Sequence, residues 1–149
     1  MNRRGQNPIH VARAPTYPTL LYDADCGFCR RQVRRWRRAI GDRVTFASYQ
    51  AAAPAYPEIP RERLARAVHL IWPDGTVLSG AEAVFELLAL RPALRPFRAL
   101  YRAFPPFAAI SEWAYALVAR HRSLVSRLGR PWRRCRAASR RLLRSPTLK

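Results

Sequence analysis

The chain has 149 residues, enough for one domain with an ordinary core, and 49% of them are hydrophobic. Its 28 basic residues, all but one of them arginine, outnumber 9 acidic residues and give a formal net charge of +19. This excess favours nucleic acid, anionic lipid or acidic protein surfaces as partners, although arginines can equally form an ordinary solvated face.

The first 16 residues and the cysteine count bear on where the protein works. Residues 1–16 contain Pro8 and Pro15 but no apolar run of signal-peptide length, so we expect a flexible N-terminal arm and no cleaved signal. No stretch is apolar enough for a transmembrane segment. Three cysteines are too few and too odd in number for a disulfide-stapled secreted scaffold. We therefore expect a soluble, cytoplasmic protein.

The stretch "TLLYDADCGFC" joins a predicted strand to a predicted helix. The apolar run from Thr19 to Ala24 is typical of a buried strand. Apolar side chains then recur at helical steps, at Cys29, Val33, Trp36 and Ile40. The other side of this helix carries Arg30, Arg31, Arg34, Arg35, Arg37 and Arg38. Asp25 is the expected N-cap, which leaves Cys26 in the first turn.

Three more strands and several helices follow. "RVTFASYQ", residues 43–50, predicts a second strand, and a short helix is expected over 61–66. "AVHLIW" and Val77-Leu78 flank the turn "PDGT" and predict a hairpin. "SGAE", residues 79–82, has the form of a capping box before a helix that ends near Arg91-Pro92. This order predicts an α/β fold with a mixed four-stranded sheet and flanking helices.

Beyond Pro92 the chain predicts a C-terminal helical extension. We expect its two helices to pack onto the preceding domain, since neither helix alone could bury its apolar stripe. The stripe of the second helix comprises Ile110, Trp113, Leu117, Leu124 and Leu128. Residues 130–149 hold eight basic and no acidic residues and predict a disordered tail. The expected organisation is an arm over 1–16, one domain over 17–129 and a tail over 130–149.

The two cysteines three positions apart have the spacing of a redox pair. Thiol–disulfide exchange needs an accessible thiolate and a second thiol close enough to resolve the mixed disulfide. Cys26, at the start of the helix, meets the positive end of the helix dipole, whereas Cys29 lies about one turn on and faces the buried stripe. We therefore predict that Cys26 is the attacking sulfur and Cys29 the resolving sulfur.

Asp23 is the third candidate site residue. It stands at the end of the first strand, where a half-buried carboxylate with a raised pKa could take the proton of Cys29 and return it later. The alternative is an ordinary turn-forming acid at a strand end.

A zinc site is the competing interpretation of the cysteine pair. Tetrahedral zinc requires two further ligands, and the chain offers only Cys135 and the scattered His10, His69 and His121. Since no second close pair exists, we expect no metal. Cys135 is expected to be a free thiol in the tail.

The ordered segments "YDADCGFC", "FASYQ" and "SGAEAVFELLALR" resemble the DCC family of predicted thiol-disulfide oxidoreductases, also known as a domain of unknown function. Its Asp-x-x-Cys-x-x-Cys motif corresponds to Asp23, Cys26 and Cys29, and the likeness runs from about Thr19 to Leu128. The resemblance implies a thioredoxin-like fold and dithiol–disulfide activity. Two features differ from those of typical thioredoxins. A proline usually precedes the strand that faces the active site, whereas this chain has Ala67 there. Between the cysteines, Gly-Phe replaces the usual Gly-Pro.

Two functions follow as hypotheses. The first is a thiol-disulfide oxidoreductase of the protein-disulfide reductase type, which needs no bound cofactor and acts on disulfide-containing proteins or small thiols. The second is a basic binding module, in which the arginine-rich helix and tail bind nucleic acid or anionic surfaces and the thiols are secondary. The sequence does not indicate the oligomeric state.

Overall fold

A mixed four-stranded sheet lies at the centre of the computed structural model, which describes residues 9–122. Its order is β2-β1-β3-β4, with β1 parallel to β2, β3 antiparallel to β1, and β4 antiparallel to β3. The strands are β1 (Thr19–Tyr22), β2 (Thr45–Ser48), β3 (His69–Ile71) and β4 (Val77–Ser79). The predicted α/β, thioredoxin-like sheet is confirmed, and each strand is no longer than the run that predicted it.

Helices flank this sheet. Within residues 9–122 they are α1 (Gly27–Ile40), α2 (Tyr49–Ala52), α3 (Arg61–Arg66), α4 (Gly80–Leu88), α5 (Arg95–Ala103) and α6 (Pro105–Arg120). Helix α2 was not expected from the sequence, because the predicted second strand ran on to Gln50 and so covered the start of this helix. The strand ends at Ser48 instead, whose hydroxyl accepts the N–H of Ala51 at 3.3 Å and caps α2. No helix in this described range is both long and apolar enough to cross a bilayer.

Alternating side chains of the central strands divide the core into two layers. Leu20 and Leu70 point to one side of the sheet, where Val33 and Ile40 of α1 and Leu87 of α4 are buried. The neighbouring residues Leu21 and Ile71 point to the other side, together with Leu64, Ile59, Val11 and Val77. This period of two fixes the register of the sheet, because a one-residue slip would exchange the two faces.

Part of the predicted N-terminal arm packs against the sheet. His10 pairs with Thr76, and the N–H of Val11 donates to the carbonyl of Gly75 at 3.0 Å. Val11 is buried in the second core layer. The expectation of a flexible arm is therefore wrong for these residues, because the edge backbone beside β4 offers them hydrogen-bond partners. Residues 1–8 and the predicted tail over 130–149 lie outside the described residues, and the domain boundaries stay predictions.

The start of α4 is capped by a residue from another helix. Ser79 occupies the N-cap position but makes no side-chain capping bond, so the predicted capping box is wrong. The N–H of Glu82 donates instead to Oε1 of Glu112 on α6, at 3.0 Å. A Cβ at Gly80 would come within 2.8 Å of Oε2 of Glu112, so the glycine permits this close approach.

The C-terminal helices α5 and α6 both pack on α4, but not through the predicted stripe. The prediction that the helical pair packs onto the domain is confirmed. Ile110, Trp113 and Leu117 are 64%, 67% and 43% exposed, however, so the stripe expected to make this contact is the wrong one. Tyr115, from a different side of α6, packs against the first core layer instead. Leu124 and Leu128 of the same stripe lie outside the described residues.

Candidate active site

The sulfur of Cys26 caps α1. The helix begins at Gly27, Cys26 has extended backbone angles, and its Sγ accepts the N–H of Cys29 at 3.2 Å. The prediction that Asp25 is the N-cap is therefore wrong by one residue. Free N–H groups and the helix dipole favour negative charge at such a position, which is where the attacking thiols of exchange reactions typically lie.

The two aspartates form the turn that leads into α1. The N–H of Asp25 donates to Oδ1 of Asp23 at 3.0 Å, which is a local side-chain turn. Asp25 is exposed, and its Oδ2 accepts a hydrogen bond from Nε2 of Gln50 at 3.1 Å. Both carboxylates are therefore occupied by these hydrogen bonds, and the sulfur of Cys26 takes the N-cap position of α1.

Cys29 is half-buried in the first turn of α1. Its pKa is raised to about 12, first by burial, then by a side-chain hydrogen bond to Cys26 and by the charge of Cys26. The positive charge of Arg122 opposes this rise, and the charge of Asp23 adds to it. Cys26 and Cys29 are both free thiols in this structure. In the dithiol state Cys29 therefore keeps its proton at neutral pH.

Asp23 is held by partners from two distant segments. Its side chain is 11% exposed, and Oδ2 lies 3.2 Å from Nη2 of Arg122. Its Oδ1 accepts a hydrogen bond from Nε2 of Gln50 at 2.8 Å. The carboxylate is therefore fixed at the edge of the sheet with its charge compensated.

An apolar cavity of about 280 Å³ adjoins the thiol of Cys29. Cys29, Asp23 and Arg122 belong to its lining. The other walls are mostly apolar and include Phe28, Trp36, Leu64, Val84, Tyr115 and Ala119. An apolar cavity with a few convergent polar groups is the usual form of a binding site.

A family model for DCC1-like thiol-disulfide oxidoreductases matches residues 20–128, which is most of the chain. The chain belongs to this family. The match of the family model confirms the resemblance inferred from the Asp-x-x-Cys-x-x-Cys motif. The family's activity supports a redox role for the chain. Comparisons with curated proteins and with solved structures give no match.

Three residues of this DCC1-like site are not evident from the motif. Gln50 follows β2, and its approach to Asp23 could be anticipated, because parallel strands β1 and β2 end at the same edge of the sheet. Tyr115 and Arg122 are the first and last residues of "YALVARHR", which resembles the C-terminal helix of the family, but their approach to the cysteine pair depends on contacts between segments far apart in sequence. Tyr115 accepts the N–H of Val68 at 2.9 Å and so ties α6 to the start of β3.

The alternative of a metal centre finds no support in the part of the chain that the structure describes. Residues 9–122 contain no group of three or more His, Cys, Asp or Glu side chains that could hold a metal ion. His69 is buried in β3, and its Nδ1 lies 3.1 Å from the carbonyl of Ala67. Burial lowers the pKa of His69 to about 4, so it stays neutral at physiological pH. Cys135 lies outside the described residues.

Proposed function

We propose that the protein exchanges its Cys26–Cys29 dithiol with a disulfide substrate. The thiolate of Cys26 attacks one substrate sulfur, forms a mixed disulfide and releases the other substrate sulfur as a thiol. Cys29 then loses its proton and attacks Sγ of Cys26, which releases the second substrate thiol and leaves a Cys26–Cys29 disulfide. The substrate gains two electrons and the protein loses two. The position of the Cys26 sulfur at the N-cap of α1 carries this proposal.

Asp23 is the proposed proton acceptor for Cys29. The resolving step needs a base, since the pKa of Cys29 is raised to about 12 in the dithiol state. Asp23 lines the same cavity as Cys29, and its charge acts on the Cys29 thiol. Formation of the mixed disulfide removes the negative charge of Cys26, which is itself a cause of the high pKa. Resolution therefore becomes easier once substrate is attached.

A Cys29→Ser variant tests the order of the two attacks. With a peptide disulfide as substrate, we expect a stable mixed disulfide on Cys26, because serine cannot resolve it. Peptide mapping by mass spectrometry distinguishes an adduct on Cys26 from one on Cys135. Cys26→Ser is the matched variant and should give no adduct on Cys29. An adduct that forms only on Cys135 would contradict the proposal.

The apolar cavity beside Cys29 is proposed to receive a large apolar side chain next to the substrate cysteine. Ala119→Phe should fill this space, whereas Ala116 is exposed on α6 and is not part of the lining, so Ala116→Phe is the matched control. We expect Ala119→Phe to slow reduction of a peptide disulfide flanked by phenylalanine about tenfold, because burial of one apolar side chain is worth about 1.5–3 kcal/mol. A serine-flanked peptide should react with both variants as with the wild type. Equal rates of the wild type on both peptides would contradict this role of the cavity.

We infer a protein-disulfide reductase acting on protein or small-thiol substrates in the cytoplasm. The second candidate, a basic binding module, is favoured by the exposed arginine face of α1, which comprises Arg30, Arg34, Arg35, Arg37 and Arg38. Polyanion binding through this face should weaken steeply with salt and persist in Cys26→Ser, because it uses no thiol. Binding that depends on Cys26 would contradict that module.

A further inference from the structure

Helix α5 turns its charged side toward the protein and its apolar side outward. Glu86 of α4 is only 5% exposed, and two arginines of α5 neutralise it: Nη1 of Arg98 lies 3.4 Å and Nη2 of Arg102 lies 2.6 Å from its carboxylate. This pairing fixes the rotation of α5. As a consequence, Phe97 and Leu100 are 52% and 44% exposed, and Phe104 at the end of the helix is 53% exposed.

Helix α6 also turns an apolar side outward. Its Tyr115 is held inward by the N–H of Val68, so the stripe of Ile110, Trp113 and Leu117 faces outward. The two helices contact each other and both pack on α4. Their exposed apolar side chains form what we name the outer apolar face: Phe97, Leu100, Phe104, Ile110, Trp113 and Leu117. Exposed apolar residues scattered singly are normal in proteins, but such a grouped set marks an interaction surface.

The charges around this face select its partner. Residues 91–120 contain five arginines and one acidic residue, the half-exposed Glu112. Arg98 and Arg102 pair with Glu86, whereas Arg91, Arg95 and Arg120 are exposed. A second copy of the chain would place these arginines opposite other arginines, and this repulsion between like charges is unfavourable. An anionic bilayer surface instead accepts both features, because aromatic side chains insert at the headgroup level while arginines contact phosphates.

We propose that the outer apolar face docks the protein on anionic phospholipid, with α5 and α6 lying in the plane of the membrane interface. Phe97, Phe104 and Trp113 insert below the headgroups, and the exposed Arg91 and Arg120, one before α5 and one at the end of α6, contact the phosphates. This proposal is independent of the thiol chemistry, since none of the six residues of the face lines the cavity beside Cys29.

Vesicle co-sedimentation of the full-length protein tests this docking. The vesicles contain equal parts of phosphatidylglycerol and phosphatidylcholine, and binding is measured in about 1 M salt, where the Debye length falls to about 3 Å and charge attraction is screened. We expect part of the binding to survive, and the double variant Phe97→Ser/Trp113→Ser to lower it about tenfold or more. Tyr17→Ser removes an aromatic side chain that is 64% exposed elsewhere and should leave this binding unchanged.

Other outcomes would overturn the proposal. Binding that vanishes in high salt for the wild type, or that falls equally in Tyr17→Ser, would mean that the outer apolar face does not insert. The melting temperature and the sedimentation coefficient of the lipid-free double variant should equal those of the wild type. A lower melting temperature would mean that another part of the chain already covers the face, and a change in oligomeric state would assign the face to a second copy.

Discussion

Replacing Cys26 with serine is expected to slow disulfide reduction by on the order of a thousandfold or more, because the variant lacks the attacking sulfur. Cys29 cannot take over this role. Burial, the largest cause of its pKa of about 12, persists in the variant. Because burial keeps its pKa above the ordinary thiol value, Cys29 stays mostly protonated at pH 8 in the variant as well. The measurement is the rate of reduction of a peptide disulfide, with dithiothreitol as the source of electrons.

Cys135→Ser is the control for this loss, since it also removes one thiol but leaves the Cys26–Cys29 pair intact. It should keep the wild-type rate. The melting temperature of Cys26→Ser should stay close to that of the wild type, because serine is also a good N-cap residue. Wild-type turnover by Cys26→Ser, or a comparable loss in Cys135→Ser, would show that the reaction runs through another sulfur.

Acid is expected to destabilise the fold through His69. The unfolded state has the ordinary pKa of 6.5, whereas burial lowers the pKa in the folded state to about 4. Between these values the unfolded chain binds more protons than the folded protein, so stability falls as the pH drops from about 6.5 to about 4. A shift of this size corresponds to a loss of about 3 kcal/mol in the free energy of unfolding.

Urea unfolding at pH 7 and at pH 4.5 measures this effect. Carboxylates also titrate in acid, so the comparison is with His69→Gln, which should lose clearly less stability than the wild type between these two pH values. His121 is exposed, and His121→Gln should behave as the wild type does. If His69→Gln and the wild type lose the same free energy, the acid sensitivity comes from other groups.

The sequence predicts the framework of this site because the signals for it are local. Helical spacing from Cys29 to Ile40 and the glycine after it place α1 within a residue of its observed bounds. The two alternating pairs Leu20-Leu21 and Leu70-Ile71 lie in strands with two buried faces, so apolar runs indicate them directly. The order of strands and helices then leaves few ways to build the sheet.

Contacts between distant segments are what the sequence does not reveal. Which residue caps α1 depends on Gln50, whose amide engages both aspartates and so leaves the N-cap to Cys26. The rotation of α5 depends on the buried Glu86, and that of α6 on the bond from Val68 to Tyr115. Helical periodicity identifies an apolar stripe such as Ile110, Trp113 and Leu117, but it does not say whether the stripe faces the core or the solvent.

A redox titration of the Cys26–Cys29 pair tests the central claim most directly. The protein is equilibrated across a series of glutathione ratios, its free thiols are alkylated, and the fraction of intramolecular disulfide is measured by mass spectrometry. We expect one reversible two-electron transition with a defined midpoint, confined to the peptide that contains Cys26 and Cys29. Two thiols that never form this disulfide at any ratio would contradict the assignment of the pair as the redox centre.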